Sequence, residues 1–235
     1  MASFYLFYII DRAVNKCYYV ICLEVAMKKE DKTKITKEKI IQSAIIEFGT
    51  KSYEMASVNS ICYRNKISKG LIYHNFKNKD ELYLECIKRC YLDMIDKMFE
   101  SQEENHNALD LLKETLNIRQ NYFQSYPYYK KIFFDSTLAC PEHIIEKVKI
   151  LREPYEKELK KRYADIVENL NLREGVSKER AISYLCVFQD MYNNYFSMNY
   201  TKEDNFNNII LEHETKMTEL LDVVFFGIVD EVKEK

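Results

Sequence analysis

Glycine and proline are scarce in this chain, 4 and 3 of 235 residues, and tryptophan is absent. So few helix breakers and hairpin formers exclude most sheet-rich architectures and point to an all-helical protein. No internal repeat, low-complexity linker or alternating strand pattern is present. No uninterrupted apolar run can span a bilayer. Met1–Ala26 is aromatic and apolar, but Asp11, Arg12, Lys16 and Glu24 interrupt it. That stretch also lacks a basic n-region and ends in a poor cleavage site, so it does not read as a signal peptide. The 7 cysteines form no CxxC pair. Cys86 and Cys90 would share a helix face, yet no His lies on that turn. Buried thiols in a reducing cytoplasm therefore fit better than a metal site or a disulfide framework. There is no HExxH, no nucleophile elbow and no phosphate-cradling glycine loop. His74, His106, His143 and His213 complete no catalytic constellation, so neither an enzyme nor a cofactor is expected.

What is present is charge, unevenly spread. The net charge of −2 divides into Lys28–Cys90, with 14 Lys/Arg against 8 Asp/Glu, and Tyr91–Lys235, with 19 against 27. A small basic segment joined to a larger acidic one suggests that the first part meets a polyanion. Chance clustering on solvated faces is the alternative. Charged residues at 31% and hydrophobic ones at 47% argue against disorder. The division sets apart an N-terminal extension (1–27), a basic head (28–90) and an acidic body (91–235). Met27 precedes Lys28-Lys29-Glu30-Asp31-Lys32, so a start there would leave 1–26 outside the native protein. An extra helix packed on the body is the other reading.

After Thr36, a plausible N-cap, Ile40, Ile41, Ala44, Ile45 and Phe48 recur at helical spacing, fading near Gly49–Ser52. Ser57 caps a second helix that turns Val58, Ile61 and Cys62 inward. Asn65-Lys66-Ile67 form a turn, and Ser68 caps a third helix through about Asn75. Asn78 opens a fourth, with Asp80 and Glu81 in its first turn. Further helices are expected at about 107–124, 127–136, 141–152, 154–170, 177–200 and 204–232, with Ser177 as a cap and Gly175 in the loop before it.

Two short capped helices joined by a tight turn and supported by a third lay one helix in the DNA major groove, about 12 Å wide. In the third helix Ile67, Ile72 and Phe76 should face the core. Lys69, Gly70, Leu71, Tyr73, His74 and Asn75 are left on the opposite face. Ile40–Phe48, Ser57-Val58-Asn59-Ser60-Ile61 and the run Ile67–Leu82 resemble the N-terminal domain of TetR-family repressors over about residues 35–84. The Gly70-x-Ile72-Tyr73-x-x-Phe76-x-x-Lys79 string is the specific part. Departures are Ser52 where the family usually has Gly, Asn65-Lys66 for its Ala-Gly, and Leu71 and Asn75 on the reading face. Asn65 or Lys66 must then tolerate a left-handed turn.

The resemblance implies an all-α fold of about nine to ten helices, a three-helix head continuous with a helical ligand-binding and dimerisation body. It implies double-stranded DNA as partner, read by the helix-turn-helix at 57–76. Tyr73 and Lys79 resemble the family's phosphate contacts, with Ser57 and Ser68 presenting capped helix N-termini. Lys69, Leu71, His74 and Asn75 are candidates for base edges. Leu71 could instead complete the core, and His74 could meet phosphate. The resemblance further implies a cytoplasmic homodimer through helices 177–200 and 204–232. Ile182, Leu185, Cys186, Gln189, Tyr192 and Phe196, then Met217, Leu220, Leu221, Val224, Phe225 and Ile228, carry the expected stripes. Either stripe could instead be intramolecular core. Tyr122, Phe123, Tyr126, Tyr128, Tyr129, Phe133, Phe134 and Met191 are candidate walls of a pocket for an unknown small-molecule effector. A redox input through Cys86 or Cys90 is the alternative. The rival to the whole reading is a helical protein-interaction module.

Overall fold

In the computed structural model the described residues are 29–100, 108–199 and 206–231. The proposed start at Met27 and the extension before it lie outside them. The described residues form nine α-helices: α1 (Lys29–Phe48), α2 (Val58–Arg64), α3 (Lys69–Asn75), α4 (Lys79–Glu100), α5 (Ala108–Ser125), α6 (Pro127–Leu138), α7 (Ile145–Glu168), α8 (Lys178–Asn199) and α9 (Phe206–Ile228). The fold is all-α, as its glycine- and proline-poor composition dictates. One short antiparallel ladder is added, β1 (Asn171–Leu172) against β2 (Val229–Glu231), pairing Asn171 with Glu231 and Leu172 with Val229. Strands of two and three residues are too short to alternate visibly, so in the sequence they are indistinguishable from a loop and the end of a helix.

Two other boundaries differ from expectation. α1 begins at Lys29, so Thr36 lies inside it and caps nothing. The stretch before Ile40 has no apolar stripe, but its Lys and Glu residues favour helix and no Gly or Pro stops it. The expected break at Pro154 is absent: a 3₁₀ turn (Glu142–Ile144) leads into α7, which runs unbroken past Pro154. A proline inside a helix costs about 3 kcal/mol. Burial of Val148, Tyr155, Leu159, Tyr163, Ile166 and Val167 along α7 offsets that cost.

The chain divides into two units, one ending at Cys86 and the other beginning at Ile87, so the division falls within α4. In the first, α1 packs on α2 and α2 on α3. Ile40, Ile41, Ala44, Ile45 and Phe48 join Ile61, Ile72, Phe76, Leu82 and Tyr83 in its core. In the second, α7 packs against α5 and α8, α8 also against α6 and α9. Ser177 caps α8 by accepting from the Arg180 N–H at 3.3 Å, and Gly175 supplies φ +82° before it.

Candidate nucleic-acid interface

The geometry of the first unit is set by caps. The Ser57 hydroxyl accepts from the Asn59 N–H at 3.2 Å and starts α2; the Ser68 hydroxyl accepts from the Leu71 N–H at 3.2 Å and starts α3. Between them α2 ends in a Schellman turn. The Ile67 N–H reaches the Cys62 carbonyl at 2.9 Å and the Lys66 N–H the Tyr63 carbonyl at 3.4 Å. Lys66 takes the left-handed position, φ 51°, while Asn65 keeps φ −116°. The Asn65 amide instead bonds the Ser43 hydroxyl on α1.

α3 therefore leaves the turn with one side fixed. Ile72 and Phe76 are buried, with Ile67 half-buried beside the turn. Lys69, Gly70, Leu71, Tyr73 and His74 are exposed together. Leu71 is 39% and Tyr73 45% exposed, so Leu71 does not complete the core. The Lys69 ammonium stands 6.0 Å from the centre of the Tyr73 ring, which draws a cation and a phenol to one patch. A Cβ added at Gly70 would meet no described atom within 4 Å, so nothing in the chain itself demands glycine there. Asn75 is half-buried and its amide donates to the Leu71 carbonyl at 2.9 Å, turned back along its own helix.

Lys79 is the first residue of α4. Its ammonium donates to the carbonyls of Tyr53 (2.7 Å) and Ala56 (3.3 Å) and lies 4.1 Å over the Tyr53 ring. The Tyr53 hydroxyl bonds Asp80 in turn, and burial with that acid raises the Tyr53 pKa. Together these contacts fasten the loop after α1 to the start of α4. Asn78 caps α4 through the Glu81 N–H at 2.8 Å, and Glu81 accepts from the Lys77 N–H at 2.6 Å. Nothing in the spacing of Tyr53 and Lys79 announces this fastening, because the partners are 26 residues apart.

In the second unit the expected aromatics do come together. Phe123 packs in tilted contacts against Tyr122, Phe133 and Phe134 with ring centres 5.5, 5.1 and 5.5 Å apart. Tyr126 and Tyr129 lie 5.0 and 6.2 Å from Tyr122. Tyr122, Phe123, Phe133 and Phe134 are buried, whereas Tyr126 and Tyr129 are half-buried and Tyr128 is exposed. Met191 is not among them: it is 65% exposed on α8.

The stripe expected on α8 also faces inward. Leu185, Tyr192 and Phe196 are buried and Ile182, Cys186 and Gln189 half-buried, with the Tyr163 hydroxyl donating to the Gln189 carbonyl oxygen at 2.7 Å. On α9 Met217 and Leu221 are core, Val224 is half-buried and Leu220 is exposed; the side chains of Phe225 and Ile228 lie outside the described set. A second apolar row, Tyr184, Val187, Met191, Tyr195 and Met198, runs along the outer face of α8, 42–86% exposed. Leu211, Leu220 and Val223 are likewise exposed on α9. Helical spacing held this second row too, but a helix apolar on two sides does not reveal which is covered. Cys86 and Cys90 are buried in α4. Among the described residues no helix is long and apolar enough to cross a membrane.

Comparison with known proteins meets this geometry at the head. Residues 40–86 match the model of bacterial regulatory proteins of the tetR family. The chain is 27% identical over 95 residues to IcaR, the HTH-type negative transcriptional regulator of the biofilm operon icaADBC in Staphylococcus epidermidis, covering 38% of this chain and 51% of that protein. It is 32% identical over 85 residues to the transposon Tn10 TetC protein of Escherichia coli, covering 36% of this chain and 43% of that protein. The chain thus spans about half the length of the curated relatives it matches. Among solved structures, a transcriptional regulator from Cytophaga hutchinsonii superimposes with a TM-score of 0.65 at 17% identity, over 82% of this chain and 97% of that one. The fatty acid degradation regulator FadR from Bacillus halodurans does so with 0.57 at 15% identity, over 80% and 93%.

Proposed function

We propose that this chain is a tetR-family regulator, on the match of residues 40–86 to that family's model: a dimeric repressor that binds a near-palindromic operator and is released by a small-molecule effector. The observation that carries this reading is the outer face of α3, where Lys69, Gly70, Leu71, Tyr73 and His74 are exposed together while Ile72 and Phe76 anchor the helix from behind. A face with a cation, a phenol, an imidazole and a residue without a side chain suits close approach to base edges and phosphates. Leu71 is exposed enough to meet a thymine methyl. Asn75 would have to release its bond to the Leu71 carbonyl before reading a base.

One such helix reads too few base pairs to select a site, so two heads are needed. The exposed apolar row of α8 with Leu211, Leu220 and Val223 of α9 supports a homodimer through these two helices. The name of IcaR as a negative regulator favours repression over activation. The ring cluster around Tyr122 and Phe123 supports an aromatic-walled effector site. α4 would carry its signal, by the ligand's differential affinity for two states.

A gel shift with the DNA upstream of the protein's own gene tests the proposal. A discrete shift that competes poorly with unrelated duplex is expected. No shift at micromolar protein, or a monomer by sedimentation at that concentration, refutes it. Release of the bound duplex by a compound found through thermal-shift screening tests the effector arm.

A further inference from the structure

Along α2, the first unit carries an open groove of about 590 Å³ lined by Glu47, Lys51, Asn59, Ser60, Tyr63 and Arg64. Resting on the reading of α2 and α3 as the DNA-contacting pair, we infer that Lys51 and Arg64, held in place by the buried carboxylate of Glu47, grip a backbone phosphate of the duplex in this groove. Four of its six residues lie on α2. In a helix-turn-helix the first helix of the pair crosses the DNA backbone, so its exposed groups meet phosphates rather than bases.

Glu47 is the unusual member. Its side chain is fully buried, yet it is a carboxylate, which needs compensation away from water. Oε1 accepts from the Ser57 N–H at 3.1 Å and from the Lys51 ammonium at 2.8 Å. Oε2 has no hydrogen bond and lies 3.7 Å from Arg64 Nη2. Burial pushes the carboxyl upward. The Lys51 and Ser57 hydrogen bonds and the two cations outweigh it and hold the pKa below its ordinary value.

One fixed negative charge thus faces two cations, and both cationic side chains remain 41% exposed. A single carboxylate is satisfied by one. The second leaves surplus positive charge at the mouth of the groove, beside the Asn59 amide and the 89% exposed Tyr63. Ammonium, guanidinium, amide and phenol all offer hydrogen-bond donors, the set a singly charged phosphodiester accepts from. Glu47 is a positioning residue here: it ties both cations to the turn that starts α2.

The test is affinity against salt concentration, by fluorescence anisotropy, for the upstream duplex and a scrambled one. Lys51→Gln and Arg64→Gln, both at exposed positions, are expected to weaken binding to the two duplexes by the same several-fold factor. Each should also lower the slope of log K against log salt by about 1. Glu47→Gln keeps an oxygen for the Ser57 N–H and is expected to weaken binding although it removes a negative charge. Lys149→Gln, on the exposed face of α7, should change neither quantity. Unchanged slopes in both cation variants, a loss confined to one duplex, or tighter binding by Glu47→Gln overturn the inference while the head still binds DNA. A wild-type protein that binds neither duplex overturns the underlying reading as well.

Discussion

Replacing Lys66 with glycine should make the reading head more stable. Lys66 sits at φ 51°, the left-handed position of the Schellman turn that ends α2, and is exposed. A side chain there costs about 1–2 kcal/mol because Cβ crowds the following carbonyl. Glycine removes that strain but brings up to about 1 kcal/mol of extra chain entropy in the unfolded state. The difference, roughly 0.5–1 kcal/mol in favour of Lys66→Gly, falls on the turn that fixes α3 against α2. Hydrogen exchange of the amides of residues 57–76 reads this locally: opening should become about two- to fivefold rarer. Lys66→Ala removes the same charge and stem while keeping Cβ, and should show no gain. If the alanine variant gains as much as the glycine variant, charge rather than backbone strain governs the turn and the reasoning fails.

Four further outcomes follow, the first two taking the proposed operator-binding dimer as their premise. Tyr73→Phe should lower operator affinity severalfold with fold and dimer intact; unchanged affinity and salt slope would remove Tyr73 from the phosphate contacts. Met191→Glu should shift the dimer toward monomer in sedimentation, because it puts a charge into the exposed apolar row of α8; a dimer of unaltered strength would place the interface elsewhere. Lys79→Met removes the two carbonyl bonds and should destabilise the head by about 1–3 kcal/mol; if only DNA affinity falls in denaturant and binding assays, Lys79 acts on phosphate alone. Since the pKa of Glu47 is lowered on folding, its contribution is complete above the ordinary value of 4.5 and lost as pH falls through the lower folded value. Acid unfolding of Glu47→Gln should therefore lack that part of the pH dependence.

The sequence alone determined what depends on local chemistry. Scarcity of glycine and proline favoured the helical class, because few residues are left to break helices or form the tight turns of hairpins. Ser57 and Ser68 fixed the starts of α2 and α3, since a cap needs only its own first turn. The spacing of Ile72 and Phe76 fixed which side of α3 faces outward. The tertiary structure decided whatever required partners distant in the chain. It chose Lys66 over Asn65 for the left-handed turn, because the Asn65 amide is engaged by Ser43 across α1. It drew Lys79 onto the carbonyls of Tyr53 and Ala56. It carried α7 through Pro154 by burying the residues around it. On α8 it covered Leu185, Tyr192 and Phe196 and left the row from Tyr184 to Met198 outside. Both rows have helical spacing, and only the position of neighbouring helices decides which one meets the core.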